Sequence, residues 1–278
     1  MCDADNEWSP GTEQVNDADG RISLAVCGAS GRMGARVLEL ASASHDIDVV
    51  ATWVGAHSPR LGHHSAAAPA LAFAALDDSA AGADVVIDFS QAAAFDAILA
   101  WCVRAEVALV SGTTGLSDDQ FTAIDAAARR IPILWSANFS PGIAMLDRMA
   151  SASARLFPDW DVEIIEAHHA GKRDAPSGTA LALGRSIAEA RDQDFAGQAV
   201  FDRRARDGLR ARGDIGFAVT RAGDIVGEHT VVLATAGERL ELCHRATDRL
   251  VFARGALHAA RWLVARRPGR YRFIEALD

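Results

Sequence analysis

The fold is decided by residues 22–43, ISLAVCGASGRMGARVLELASA. Ile22–Cys27 is a short apolar run. It gives way at once to Gly28-Ala29-Ser30-Gly31-Arg32-Met33-Gly34, and residues 35–43 continue with helical patterning. Strand, glycine turn and helix in that order open a βαβ unit. A second apolar run, 47–54, follows at the distance such a unit requires, and three more come at 83–89, 107–110 and 131–135. Helix-like stretches at 91–104 and 117–130 separate them. The second opens on Ser117 followed by Asp118, Asp119 and Gln120, an N-cap with acids in the first turn. Short apolar strands alternating with helices predict the α/β class, with a parallel sheet covered on both faces.

Beyond about residue 140 the rhythm changes. Residues 143–157 read as helix, 161–167 as a strand ending in His168-His169, and 176–190 as helix. Strands at 216–221, 228–235 and 239–244 then follow at hairpin-like spacing, through Ala222-Gly223-Asp224 and Ala236-Gly237. Helices with an antiparallel or mixed sheet predict a second, α+β domain. Leu250, Ala253, Leu257, Ala260 and Val264 return at steps of three and four, one apolar helix face ending before Pro268-Gly269.

A length of 278 residues suits two domains or one large one. With half the residues hydrophobic and 23% charged, wholesale disorder is excluded. The net charge of −9 argues against nucleic acid and anionic membranes as general partners. No run of 18 apolar residues predicts a membrane-spanning helix. Cys2, Cys27, Cys102 and Cys243 are widely spaced and form no C-x-x-C pair, which disfavours a zinc ribbon or a redox dithiol. Residues 1–20 carry acids, Asn, Gly and Pro but no basic or apolar region of a signal peptide, and read as a disordered tail. The expectation is a cytoplasmic globular protein.

The glycine turn has the spacing G-x-x-G-x-x-G, with Ser30 at the middle glycine position of the usual dinucleotide fingerprint. Such a turn lets the backbone approach a pyrophosphate, and the helix behind it supplies N–H donors and partial positive charge. Tight strand–helix turns also use glycine for packing alone. The acidic residue that would hold an NAD ribose about 20 positions later is missing, since the second strand ends Thr52-Trp53-Val54-Gly55. Ser58 and Arg60 follow, so this segment either tolerates a 2′-phosphate or is a solvated loop.

Residues 163–180, EIIEAHHAGKRDAPSGTA, concentrate two histidines, Lys172, Arg173 and a helix start in an otherwise acidic chain. His168 and His169 point to opposite faces of a strand end and need not share a role. Histidine titrates near neutrality and Lys172 adds a fixed cation, a pair suited to protonating a reacting atom. Ser177-Gly178-Thr179 opens a helix whose first N–H groups are unpaired, a seat for a carboxylate. Adjacent histidines can equally be structural. Opposite faces and the lack of a nearby cysteine disfavour a metal site.

Residues 166–180 resemble the signature of the 4-hydroxy-tetrahydrodipicolinate reductase (dihydrodipicolinate reductase) family. The likeness continues in residues 28–34, in Asp88-Phe89-Ser90, in Ser111-Gly112-Thr113-Thr114-Gly115, in Ala137-Asn138-Phe139-Ser140 and in residues 221–230. It implies a Rossmann-type dinucleotide-binding domain, 21–138 with 247–278, and an α+β substrate-binding and tetramerisation domain with a mixed sheet, 139–246. It implies NADPH or NADH as cofactor, a cyclic dicarboxylate substrate that is reduced with loss of water, and a homotetramer in lysine and diaminopimelate biosynthesis. By the same resemblance His168 is the proton donor and Lys172 its cationic partner, while His169, Ser177, Gly178 and Thr179 hold substrate. Gly28, Ala29, Ser30, Gly31, Arg32, Met33, Phe89, Gly112, Thr113, Thr114, Ser136, Ala137, Asn138 and Phe139 line the cofactor, and Arg249 approaches its adenosine phosphate. The chain departs from the family at Val54-Gly55, where an acidic–basic pair is common, and at Ala170-Gly171, where basic residues are common. Two other readings are a related amino-acid dehydrogenase, such as an aspartate dehydrogenase, and a catalytically silent NAD(P)-sensing regulator.

Overall fold

In the computed structural model, which describes residues 20–76, 82–205 and 209–278, β1 (Ile22–Cys27) lies inside a six-stranded sheet. The segment read as a tail lies outside the described residues except for Gly20. The chain forms two compact units: the first runs to Ser136 and resumes at Ala253, and the second is Ala137–Phe252. Among the described residues no helix is long and apolar enough to cross a membrane.

In the first unit β1 is followed by α1 (Arg32–Ala43), β2 (Ile47–Trp53), β3 (Val85–Asp88), α2 (Ala92–Ala105), β4 (Ala108–Ser111), α3 (Asp118–Ala127) and β5 (Pro132–Trp135). With β11 (Gly269–Tyr271) these strands pair in the order β11-β5-β4-β3-β1-β2, every pair parallel. All four residues of β3 and of β4 are buried, which is why each reads as an apolar run up to its last residue, Asp88 or Ser111. A lone parallel bridge between Trp53 and Ala74 adds a rudimentary strand outside β2. Counting it, the order is that of a doubly wound dinucleotide fold, with the reversal of winding between β1 and β3. Trp53, packed edge-on against Trp101 at 4.8 Å, joins Phe95, Leu109 and Ile133 in the core. Each such side chain contributes about 1.5–3 kcal/mol by leaving water. Ser117 caps α3 as its sequence predicts, in a reciprocal box with Gln120. β11 has no counterpart in the sequence reading: its three residues, Gly-Arg-Tyr, carry no apolar pattern and are ordered by pairing to β5.

The second unit comprises α4 (Pro141–Leu156), β6 (Asp161–His168), α5 (Gly178–Ala190), α6 (Phe195–Gln198), β7 (Ala199–Val200), β8 (Ile215–Arg221), β9 (Gly227–Thr235) and β10 (Glu238–Ala246). The helix α7 (Leu250–Leu263) follows. The sheet is mixed, in the order β10-β9-β6-β8-β7. β9 and β10 form the expected hairpin, with Gly237 at φ 91° in its turn. β8 and β9 do not, because β6 lies between them, parallel to β8 and antiparallel to β9. Their connection instead crosses the end of β6, where Ala222 N–H donates to the His168 carbonyl (2.9 Å) and Ala170 N–H donates to the Gly223 carbonyl (3.1 Å). One sheet face packs Val162, Ile164, Val231 and Leu233 against Ile143, Leu146, Leu183 and Ile187 of α4 and α5. The opposite face carries the cross-strand row Ala218, Ile165, Thr230 and Cys243, with Ile165 44% exposed.

Candidate active site

In the first unit the carboxyl ends of four strands form one rim. Phe89 N–H donates to the Cys27 carbonyl (3.1 Å), Gly112 N–H to that of Asp88 (2.8 Å) and Ser136 N–H to that of Ser111 (3.0 Å). The rim thus joins the glycine turn to Phe89, Gly112 and Ser136. Gly28 has φ 71°, and a Cβ there would lie 2.4 Å from the Phe89 carbonyl oxygen. At Gly112 a Cβ would lie 2.2 Å from the Phe89 ring. The rim is tied from below by Asp88, fully buried, whose carboxylate accepts from Ser90 N–H (2.9 Å), Ser111 Oγ (2.9 Å) and Thr113 Oγ1 (2.8 Å). Sequence reasoning saw Asp88 only as part of a motif, and its role rests on partners 23 and 25 residues away.

Helices α3, α4 and α5 each begin with a serine whose hydroxyl accepts a first-turn N–H: Ser117, Ser140 and Ser177. α1 is preceded by Gly31, an N-cap residue that offers no side-chain cap. The 12-residue helix behind the glycine turn therefore keeps its first N–H groups for an anion. These residues fit the pyrophosphate of a dinucleotide at the place where the winding reverses. Past β2, Arg60 is exposed and its N–H donates to Ser58 Oγ (3.2 Å).

In the second unit Glu166 and His168 lie two apart on β6, on the face that buries Val162 and Ile164. The Glu166 Oε2 to His168 Nδ1 distance is 2.6 Å. Arg221, paired in register with His168, forks onto both oxygens of Glu166 (2.7 and 2.8 Å) and also donates to the Asp174 carbonyl (2.6 Å). Ser177 N–H donates to Glu166 Oε1 (2.9 Å). Burial pushes the Glu166 carboxyl up, but Arg221, His168 and the Ser177 N–H outweigh it and hold the group below the usual carboxylate range. Burial, helped by the charges of Lys172 and Arg221, holds the His168 imidazole below its ordinary value in spite of Glu166. His229, in register with Glu166 on β9, lies 3.1 Å from Ser177 Oγ through Nε2 and stands edge-on to His168 at 5.2 Å. Burial first, then the charge of His168, pushes His229 down to about 3, so it is neutral across the physiological range.

Lys172 Nζ forms an ion pair with Asp174 Oδ2 at 2.8 Å, and the Lys172 N–H donates to the His169 carbonyl (3.1 Å). The half-buried His169 ring lies beside Gly171. Ser177 caps α5, so the helix starts at Gly178 and not at 176; a Cβ at Gly178 would meet open space. Thr179 Oγ1 accepts from Asn138 Nδ2 (3.0 Å), and Asn138 Oδ1 accepts from Ser140 N–H (2.8 Å). His168, Ser177 and Glu166 are thus in one bonded cluster, while Asn138 and Thr179 form a second. Sequence reasoning assigned no task to Glu166, Arg221 or His229. Glu166 was detectable, since the period of two along β6 puts a carboxylate at an inward position beside a histidine.

The chain matches two family models end to end: "Dihydrodipicolinate reductase, N-terminus" over residues 22–139 and "Dihydrodipicolinate reductase, C-terminus" over 142–277. A relative from Alkalilimnicola ehrlichii named 4-hydroxy-tetrahydrodipicolinate reductase is 44% identical over 265 residues, covering 91% of this chain and 98% of its own. One of the same name from Stenotrophomonas maltophilia is 43% identical over 259 residues, covering 92% and 98%. Among solved structures, a dipicolinate-bound dihydrodipicolinate reductase from Paenisporosarcina sp. TG-14 superposes with a TM-score of 0.72 at 22% identity, over 93% of this chain and 100% of the other. GenD2 from gentamicin A biosynthesis, in complex with NAD, gives 0.60 at 18% identity, over 97% and 93%. The structures share the fold; the sequence matches reach across both units, and by them the chain belongs to the dihydrodipicolinate reductase family.

Proposed function

We propose that the chain reduces 4-hydroxy-tetrahydrodipicolinate to tetrahydrodipicolinate, with loss of water, at the expense of NADPH or NADH, in the route to diaminopimelate and lysine. The names of relatives at 40–44% identity support the reaction. The observation that carries the chemistry is the buried His168–Glu166 pair beside the start of α5, where a Cβ at Gly178 would meet open space. We assign residues 21–138 and 247–278 to the cofactor, and 139–246 to substrate and assembly. When bound, the nicotinamide supplies hydride. Gly28, Ala29, Ser30, Gly31, Arg32 and Met33 would hold its pyrophosphate, with Phe89, Gly112, Thr113, Thr114, Ser136, Ala137, Asn138 and Phe139 lining the remainder. With Nδ1 engaged by Glu166, His168 offers its proton from Nε2. The Lys172 cation offsets negative charge as it develops, and His169, Gly178 and Thr179 hold the substrate carboxylates. Ser177, expected among them, is buried and bonded to Glu166, Ala180 and His229, and serves instead to cap the helix that presents them.

The deciding experiment is steady-state turnover of the cyclic substrate with each cofactor. Reduction with either one is expected; no reduction, with oxidation of aspartate by NAD(P)⁺, would instead establish an amino-acid dehydrogenase. Absence of an acidic side chain at Val54-Gly55 favours tolerance of a 2′-phosphate. If Arg60 contributes, Arg60→Ala lowers kcat/KM with NADPH and leaves the NADH value unchanged. An equal response with both cofactors returns Arg60 to the solvated loop.

The cytoplasm is the compartment of this reading, and the free thiols of Cys27, Cys102 and Cys243 suit it. The homotetramer is supported by the open sheet face around Ile165. Light scattering of the native protein is expected to give four times the 29.4 kDa chain. Ile165→Glu, which places a charge at the middle of that face, is expected to reduce this mass. A native monomer would sink the assembly.

A further inference from the structure

We propose that Glu166 is a positioning residue of the reaction, the buried carboxylate to which the acid, the cation loop and the carboxylate seat are all tied. The inference deepens the reading above and rests on it for the identity of the acid. Three connections converge on the one side chain. Its Oε2 holds His168 Nδ1 at 2.6 Å, which fixes the ring and leaves Nε2 for the substrate. Its Oε1 accepts from Ser177 N–H at 2.9 Å and so anchors the residue that caps α5. Both oxygens take the fork of Arg221, whose bond to the Asp174 carbonyl at 2.6 Å holds the loop that carries Lys172. Gly227 faces the same ring: a Cβ there would stand 3.1 Å from His168 Nε2, so the lack of a side chain at this position leaves that nitrogen its room.

The charge balance needs the same residue. The groups facing His168 are Glu166 on its own strand, Arg221 on β8, His229 on β9 and Lys172 on the following loop. Two are cations and His229 is neutral, and burial also opposes a protonated imidazole. Glu166 is the group among these four that favours it. A proton donor in this setting works only while that carboxylate is present.

Two readouts test the proposal. The titration of the His168 ring is followed by NMR in substrate-free protein, and the alkaline limb of kcat/KM against pH is followed during turnover. Removing a facing anion disfavours the imidazolium, so Glu166→Gln is expected to move the ring titration and the limb to lower pH, by about 1–3 pH units. Glu166→Asp, which keeps the charge, is expected to return both toward the native position. Arg221→Met removes a facing cation and is expected to move the ring titration to higher pH, the opposite direction, while raising KM through release of the Lys172 loop. A merely structural loss would not give shifts of opposite sign. If Glu166→Gln does not fold, the Asp and Arg221 variants decide the matter. An unmoved His168 titration in the variants overturns the proposal even where turnover falls. Titrations that shift as expected in a protein that never reduces the cyclic dicarboxylate uphold the Glu166 pairing and overturn the assigned reaction instead.

Discussion

His168→Gln is expected to lower kcat by about 10²–10⁴-fold, the range lost with a general acid, while the affinity for NADPH or NADH stays at its native value. Glutamine fills similar space and its amide N–H can still donate to Glu166, so the buried cluster of Glu166, Arg221 and Ser177 remains intact. What it cannot do is release a proton. The loss should therefore appear in kcat and in kcat/KM alike, as for an interaction made in the transition state and not in the ground state. Single-turnover reduction at saturating substrate, paired with cofactor titration by fluorescence, separates the two quantities. An unchanged kcat would remove His168 from proton transfer.

The second large effect is expected at the glycine turn. Gly28→Ala introduces a Cβ 2.4 Å from the Phe89 carbonyl oxygen and 2.9 Å from the Ser90 nitrogen, at a φ of 71°. The left-handed conformation costs an alanine about 1–2 kcal/mol. The collision is with backbone, which cannot rotate away, and forced overpacking adds about 1–3 kcal/mol. Because Phe89 N–H is bonded to Cys27 and its ring lies against Gly112, yielding at this point spreads the whole rim of strand ends. The expected result is a lower Tm, by about 2–4 °C for each kcal/mol lost, and cofactor binding weakened by about 100-fold or more if some 3 kcal/mol is withdrawn from the site. Gly55→Ala is the stability control, since a Cβ there meets nothing within 4 Å. Calorimetry of both variants that gave equal Tm values would contradict the packing argument.

These expectations differ in how far they could be read from sequence. The alternation of buried parallel strands and helices from β1 to β5 is local, with each of these strands announced by its own apolar run. Ser117 and Gln120 likewise announce a cap within four residues. Pairing order is not local. The 216–221 and 228–235 strands have hairpin spacing, yet β6 from more than 40 residues earlier lies between them. β11 is held by main-chain bonds to β5, which leave no trace in side-chain pattern. The candidate site divides in the same way. His168, Lys172 and the start of α5 fall within a dozen residues and can be seen together, whereas Arg221 reaches Glu166 across 55 positions and His229 reaches Ser177 across 52. The organising contacts were hidden because strand register brings them together.

The pairing of β11 with β5 also bears on how the protein is made. Gly269 sits beside Pro132, with all of the second unit inserted between them in the chain. During synthesis the ribosome delivers every strand of the second sheet before it delivers the strand that closes the first. Until then β5 presents an open edge, and unpaired edges invite pairing with other chains. The nascent chain therefore carries a nearly finished nucleotide-binding sheet through the translation of more than a hundred further residues. Its protection over that interval falls to chaperones or to the speed with which the inserted unit folds.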